Sequence, residues 1–228
     1  MGFQRARTDE QRNERRRQIL GAAAAMLTEM PVAELTLTAL SRRVCLAKAN
    51  VLRYFESREA VLLELLEAEI AEWIDAIEGE EVTGSVRERV DRLADLVATS
   101  LTARPVLCEL ISTQTTVLER NISTETAVRH KRVARAHFEA SIRFAAQQLP
   151  ELGDEGAGVL METLLLMMIA AWPSSRPPQA VLDAYAADPA LAITRVDFTD
   201  VVRRTVEVTA SGLLARAEDV PAHGTPGR

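Results

Sequence analysis

A run of polar and cationic side chains near residue 50 has the spacing needed to recognise the edges of nucleic acid bases. At 100° per residue, Ala49, Asn50, Arg53 and Tyr54 share one face of a helix predicted over 47–55. The Asn50 amide can both donate to and accept from adenine in the DNA major groove, and the Arg53 guanidinium can donate to guanine or to a phosphate. A solvated protein surface carries the same residue types, so the elements around them must decide between the two interpretations.

Those elements have the layout of a helix-turn-helix. Leu37, Leu40 and Val44 form one apolar stripe of a short first helix, and Thr36 or Thr38 can cap its N-terminus. Cys45 and Leu46 make the corner. The second helix turns an inner stripe toward the core, formed by Val51, Leu52 and Phe55. In this arrangement the outer face of the second helix enters the DNA major groove, so the pattern favours DNA binding over a merely solvated face.

The segment from residue 40 to residue 62, LSRRVCLAKANVLRYFESREAVL, resembles the DNA-binding domain of the tetracycline-repressor (TetR) family. The family pattern there is roughly I-A-x-x-A-G-V-S-x-G-x-L-Y-x-Y/H-F-x-S/N-K-x-x-L, and the resemblance covers residues 18–66. Four positions depart from it. Cys45 replaces the turn glycine, Ala47 a serine, Ala49 a second glycine and Leu52 a tyrosine. A cysteine at a corner that prefers a positive φ is expected to strain the backbone.

The resemblance implies a set of DNA contacts beyond Asn50 and Arg53. By position in the family pattern, backbone phosphates are expected to be held by Thr36, Thr38, Tyr54 and Arg58. Lys48 matches a position that faces the operator, Ala47 stands where the family has its serine, and Ala49 offers a methyl contact, for example to thymine. The resemblance also implies a homodimeric repressor that is released from a palindromic operator by a small apolar or amphipathic effector.

Composition favours an all-α protein. The chain of 228 residues is 47% hydrophobic and only 4% aromatic, and alanine and leucine dominate. Its net charge of −6 is unevenly distributed. Residues 1–60 hold 11 Arg or Lys against 7 Asp or Glu, which gives +4, whereas the remainder holds 16 against 26, which gives −10. A basic N-terminal quarter on an acidic body is typical of a DNA-binding head with a separate regulatory domain.

The positions of proline, glycine and helix-capping residues along the chain predict its domains. We expect an N-terminal arm and three-helix helix-turn-helix domain over 1–56, with Thr8 and Gln11 as a capping box for the first helix. A connecting helix capped by Ser57 and a hinge follow over 57–84. A larger helical domain for ligand binding and dimerisation covers 85–217, and 218–228 is expected to be a disordered tail. Helices in the larger domain are predicted at 85–103, 106–119, 124–148, 156–172, 178–186 and 198–217. Ser85 and Glu88 are predicted to form a capping box for the first of them, and Asp197 can cap the last.

The family's usual effector cavity has candidate lining residues here, although methionine and leucine at helical spacing are more often plain core. They are apolar or aromatic side chains with two polar ones, Gln114 and His137, that could orient a ligand. The set comprises Trp73, Leu101, Cys108, Ile111, Gln114, His137, Phe138, Met161, Leu165, Met168 and Trp172. The resemblance also implies that the helices at 158–172 and 198–217 form a four-helix bundle with the same pair of a second subunit; the alternative is that both belong to the core of a single subunit.

Other classes of function lack a supporting pattern. The three histidines have no metal-ligand spacing, and nucleophile elbows, phosphate-cradling glycine loops and dinucleotide fingerprints are absent from the sequence. We therefore expect no catalysis, no cofactor and no metal. The N-terminus lacks an apolar signal segment and the longest apolar run contains Glu162, so we expect a cytoplasmic protein without a membrane span. The alternative function is a helical ligand- or partner-binding module that does not bind an operator.

Overall fold

The computed structural model describes residues 2–218, with side chains described over 10–217. Within that part of the chain there are ten α-helices and no strand, which confirms the predicted all-α class. The helices are α1 (Gly2–Leu27), α2 (Leu37–Arg43), α3 (Lys48–Val51), α4 (Arg58–Glu78), α5 (Val86–Thr102), α6 (Pro105–Thr113), α7 (Thr124–Gln148), α8 (Gly153–Ser174), α9 (Gln179–Ala187) and α10 (Phe198–Glu218). The predicted tail lies outside the described residues from position 219 onward.

The helices group into two compact units. One unit contains Met1–Trp73 and Arg104–His137, and the other contains Ile74–Ala103 and Phe138–Arg228. The long helices α4 and α7 each contribute residues to both units. The first unit therefore combines the helix-turn-helix with α6 and the first half of α7.

The core of the first unit includes the inner faces of α1 to α4. Fully buried apolar side chains come from each of these helices, among them Ile19, Leu40, Val51, Leu62 and Leu66. Burying such side chains is the main stabilising term for a small helical unit. Helices α1, α2 and α3 pack on one another in chain order, which fixes α3 on a rigid support.

The second unit is an assembly of α5, α8 and α10, with α10 packed against both of the others. The predicted capping box begins α5: the Ser85 hydroxyl accepts from the Glu88 amide, and the Glu88 carboxylate accepts from the Ser85 amide. Asp197 caps α10 as predicted, through the amide of Asp200 at 3.0 Å. The Trp172 and Phe198 rings join the end of α8 to the start of α10, edge to face at 5.0 Å.

Three predicted elements differ from the structure. The first helix begins at Gly2 rather than at Thr8, so residues 2–8 continue a helix instead of forming a loose arm. The second helix of the helix-turn-helix is regular only over Lys48–Val51, because the amides of Arg53 and Tyr54 bond carbonyls three residues earlier. The helix predicted at 106–119 changes into a π turn at Gln114–Leu118, where the Glu119 amide bonds the Gln114 carbonyl.

One continuous helical stretch, Pro150–Ser174, is long and apolar enough to cross a membrane by length and composition. It exceeds the 156–172 segment predicted from sequence because 3₁₀ and α geometry join before Gly153. Its buried side chains lie in the second unit, where α8 packs on α10. Length and hydropathy alone do not separate a membrane span from a core helix.

Candidate nucleic-acid interface

The short helix α3 presents a continuous exposed surface on a buried support. Ala47, Lys48, Ala49 and Asn50 are all exposed, whereas Val51 behind them is fully buried. Ala47 is the N-cap of α3 in extended conformation, and because alanine has no polar side chain, the helix begins without a side-chain cap. Since Val51 anchors the helix from the other side, the four exposed residues have a fixed direction relative to the core.

The turn that follows α3 extends this surface. Arg53 is exposed and Tyr54 is half-buried, while Phe55 returns to the core with 4% of its surface exposed. Leu52 is 43% exposed and therefore does not belong to the inner stripe predicted for it. An exposed leucine thus stands where the family pattern has a tyrosine.

The start of α2 contributes two exposed hydroxyl groups. Thr36 is the N-cap, and its Oγ1 accepts from the Ala39 amide at 3.1 Å, as predicted. The hydroxyl hydrogen of Thr36 remains a donor, because the cap uses only a lone pair. Thr38, two residues later, is also exposed. Both residues lie on a helix start, where backbone N–H groups favour anions such as phosphate.

The corner between α2 and α3 has the left-handed geometry expected of a glycine. Cys45 adopts φ = 53°, and its thiol-bearing side chain is exposed. The Leu46 amide bonds the Ser41 carbonyl at 2.9 Å and the Cys45 amide bonds the Arg42 carbonyl at 3.1 Å, which together form a Schellman C-cap. The corner keeps the geometry of the helix-turn-helix although its residue is unfavourable there.

Arg58 has internal partners at the start of α4. Its Nη2 lies 2.9 Å from Glu59 Oε1, its Nε donates to the same oxygen, and its Nη1 donates to the Leu35 carbonyl oxygen at 3.0 Å. The side chain is 21% exposed and that of Glu59 is 10% exposed. These bonds use three donor positions of the guanidinium. The geometry thus gives Arg58 a structural role in holding α4 to the segment before α2.

Arg16 of α1 connects α4 to the reading head, the name we give to α2, α3 and the turn that follows α3. The sequence did not indicate this contact. Its guanidinium donates to the Tyr54 carbonyl oxygen and forms a bidentate pair with the Glu64 carboxylate. The same group lies over the Phe55 ring at 4.3 Å from its centroid. Arg16 is therefore a positioning residue for the end of the α3 surface.

A cleft of about 880 Å³ lies beside the α3 surface, between α1 and the turn after α3. Its walls combine four arginines with polar side chains and two glutamates; the lining residues are Glu10, Gln11, Arg12, Glu14, Arg15, Arg17, Gln18, Arg53 and Tyr54. Glu14 is paired with Arg17, and these hydrogen bonds hold the pKa of the Glu14 carboxyl below its ordinary value. The cleft extends the exposed cationic surface from Arg53 along the first helix.

A family model described as "Tetracyclin repressor-like, C-terminal domain" matches residues 67–217. The chain belongs to this family. The TetR resemblance found at residues 18–66 and the family match at 67–217 therefore account for adjoining parts of one regulator chain.

A curated protein is similar to part of the chain. The chain is 33% identical over 104 residues to the nucleoid occlusion factor SlmA of Marinomonas sp. (strain MWYL1), a match that covers 44% of this chain and 52% of that protein. The chain thus spans about half the length of this curated relative.

Solved TetR structures share the fold. A TetR regulator from Rhodococcus sp. RHA1 superposes with a TM-score of 0.56 at 16% identity, covering 88% of this chain and 97% of that one. A putative TetR-family regulator from Mesorhizobium loti MAFF303099 gives 0.54 at 15% identity, covering 90% and 97%. At such identities the likeness concerns the fold.

The candidate effector residues of this TetR protein are divided between its two compact units. In the first unit Trp73, Cys108 and Ile111 are buried, and Gln114 and His137 are half-buried. The second unit holds the other candidates, of which four are buried, Leu101, Met161, Met168 and Trp172, and two are half-buried, Phe138 and Leu165. Gln114 is already engaged, because its amide nitrogen lies 2.8 Å from Glu119 Oε1 and 3.2 Å from His130 Nε2.

Proposed function

We propose that this TetR-family regulator is a homodimeric repressor that binds a palindromic operator and is released from it by a small apolar or amphipathic effector. The observation that carries the proposal is the exposed run from Ala47 to Asn50, fixed from behind by the buried Val51. A rigid helix with small and polar exposed residues fits the DNA major groove.

Roles within the interface follow from side-chain chemistry and exposure. Asn50 reads a base edge, since an exposed amide both donates and accepts. Lys48 and Arg53 are exposed cations for phosphate or guanine, and Ala47 and Ala49 admit close approach of the groove wall. Thr36, Thr38 and Tyr54 hold the adjacent phosphates. Arg58 stays outside this set because its guanidinium is occupied by Glu59 and Leu35.

The cationic cleft enlarges the proposed footprint. Arg12 and Arg15 are exposed on α1 and line the same cleft as Arg53. A DNA backbone that leaves the α3 surface past Arg53 would meet them next. Each phosphate neutralised in this way adds about 0.9 to the slope of log affinity against log salt concentration. The cleft therefore supports binding to a site longer than the base pairs read by α3.

The proposed dimer uses the outward faces of α8 and α10. Leu166 is 61% exposed and Val208 is 65% exposed, and Val159 and Met167 add further apolar surface on α8. The buried sides of the two helices already pack on each other. Exposed apolar side chains on adjoining helices favour association with a second copy through the same patch, and a palindromic operator requires such two-fold symmetry.

The decisive experiment is fluorescence anisotropy of the purified chain with DNA from its own upstream region and with a scrambled duplex. We expect selective, salt-sensitive binding of two subunits per site. The double variant Asn50→Ala/Arg53→Ala should abolish selectivity, whereas Arg195→Ala, which removes an exposed cation from the second unit, should not. Equal binding of both duplexes across upstream fragments tiling the region would reject the operator-binding proposal and favour the partner-binding alternative.

A second candidate, a nucleoid-associated factor, is favoured by the similarity to SlmA over 104 residues. The two functions differ in the number and placement of bound sites. A local repressor should occupy a few sites near the genes it controls, whereas a nucleoid occlusion factor should occupy sites spread over the chromosome. Chromatin immunoprecipitation with the native chain separates them.

A further inference from the structure

A buried histidine joins α7 to two other elements of the first unit. His130 is 2% exposed, and its two ring nitrogens both have polar neighbours. Nδ1 lies 2.9 Å from Glu67 Oε1 on α4, and Nε2 lies 3.2 Å from the amide nitrogen of Gln114 at the start of the π turn. These three side chains and Glu119 form a connected hydrogen-bonded group that we call the His130 cluster.

The contacts of the His130 cluster define one protonation state of the ring. The Glu67 carboxylate accepts, so the ring proton belongs on Nδ1. Glu119 also accepts, at 2.8 Å, so the Gln114 group that faces it is the NH₂ and not the carbonyl oxygen. The same NH₂ therefore donates its second hydrogen to Nε2. Every partner is satisfied when His130 is neutral.

Charged side chains from each neighbouring element lie in the cluster or next to it. They are Glu64 and Glu67 on α4, Glu119 after the π turn, Arg129 and Lys131 on α7, and Arg16 on α1 through Glu64. Burial raises the pKa of Glu119, but hydrogen bonds from Lys131 and Gln114 outweigh this effect and hold the pKa below its ordinary value. Glu119 thus remains an ionised acceptor throughout the range in which histidines titrate.

We propose that His130 is a proton-sensitive latch on the π turn. Uptake of a proton from solvent at Nε2 places a new N–H donor against the Gln114 NH₂, which is also a donor. Rotating the Gln114 amide satisfies the ring but turns its carbonyl oxygen toward the Glu119 carboxylate. One of the two Gln114 contacts is lost in either case, and an unmade hydrogen bond in a buried site is costly. Protonation therefore breaks either the contact between Gln114 and His130 or the side-chain contact between Gln114 and Glu119, which spans the π turn.

A series of charged contacts connects the His130 cluster to the reading head. Glu67 and Glu64 lie three residues apart on α4, and Arg129 contacts both carboxylates, at 3.4 and 3.9 Å. Glu64 in turn holds Arg16 against the Tyr54 carbonyl oxygen. A protonated His130 attracts Glu67 away from Arg129, which leaves Arg129 for Glu64 and weakens its hold on Arg16. This coupling to DNA rests on the proposed function, whereas the latch itself does not.

The test is a pH titration of the full chain by NMR from about pH 8 to about pH 5. We expect the Gln114 side-chain amide and the backbone amides of 114–119 to shift with the same midpoint as the His130 ring. The variant His130→Gln should remove this step. In Glu119→Gln the ring should still titrate, but the step at the π turn should vanish, because a neutral amide at 119 accommodates either orientation of Gln114.

Two results would overturn this proposal. One is that the NMR shifts of the π turn do not change as the His130 ring titrates, and the other is that His130→Gln keeps a pH-dependent step of equal size in these shifts. Operator affinity measured over the same range tests the coupling, which predicts a pH-dependent loss of at least about fivefold that His130→Gln lacks. An NMR step without that loss rejects only the route to DNA. Absence of operator binding at every pH counts against the proposed function, and the NMR titration then still decides whether the latch exists.

Discussion

The guanidinium of Arg58 donates to the backbone carbonyl oxygen of Leu35 at 3.0 Å, joining residues 23 positions apart. The same group neutralises the largely buried carboxylate of Glu59. One arginine thus fastens the start of α4 to the segment that leads into α2. A family pattern read along the chain suggests a phosphate contact at this position, and the three-dimensional contacts indicate stabilisation of the reading head instead.

We predict that Arg58→Ala lowers the free energy of unfolding by about 1–3 kcal/mol, because it leaves a buried carboxylate and a backbone carbonyl without their partner. The salt dependence of DNA binding should stay unchanged. Arg53→Ala is the matched control: its exposed side chain should leave stability intact and reduce the salt slope by about 1. Urea unfolding and anisotropy at several salt concentrations measure both effects. A flatter salt slope in Arg58→Ala would restore the phosphate-contact role.

Asn50→Ala should relax sequence preference more than it weakens binding. Loss of a bidentate base contact costs about 1–3 kcal/mol of discrimination at one base pair. Lys48→Ala, on the same exposed surface, should instead weaken operator and scrambled DNA alike. Competition assays with single-base operator variants measure the difference. If Asn50→Ala lowers affinity for both duplexes equally, Asn50 contacts the backbone and not a base.

Cys45→Gly should stabilise the protein. A non-glycine residue in the left-handed region carries a strain of about 1 kcal/mol, and glycine removes it at the φ of 53° seen here. For a chain of this size that gain raises the melting temperature by about 2–4 °C. Asn121→Gly is a suitable comparison, since Asn121 has φ = 54° but asparagine tolerates this region better. Equal gains for both variants would show that side-chain strain at Cys45 is not special.

Much of the fold could be predicted from local signals. Thr36, Ser85 and Asp197 cap their helices as expected because an N-cap side chain and the backbone amide that donates to it lie within three residues. The contacts of Arg16 and Arg58 could not be foreseen in the same way, since their partners lie 48 and 23 residues away in sequence. Charge type alone does not tell an arginine that faces DNA from one that faces a buried carboxylate.

Leu166→Asp should convert the proposed dimer into a monomer. The side chain is 61% exposed on α8, and a carboxylate there would have to be buried on association. Val128→Asp serves as the control, because Val128 is 44% exposed on α7 in the other unit. Analytical ultracentrifugation of both variants gives the subunit number. A dimer that survives Leu166→Asp and the further change Val208→Asp would place the interface elsewhere.

Glu69→Gln should stabilise the protein at neutral pH. Burial raises the pKa of this half-buried carboxyl, the neighbouring Glu72 raises it further, and Arg104 only partly opposes them. Because the folded state prefers the protonated acid, the charged form destabilises the fold as the pH rises above the ordinary value of 4.5, and this cost is absent well below it. The partial solvent exposure keeps the gain from Glu69→Gln below about 1 kcal/mol.

This gain in the free energy of unfolding should be full at neutral pH and should disappear in acid, where the wild-type carboxyl is protonated. Glu72→Gln, whose side chain is 70% exposed, should gain less. Urea unfolding across this pH range measures the effect, and a gain for Glu69→Gln that persists in acid would assign it to packing and not to charge.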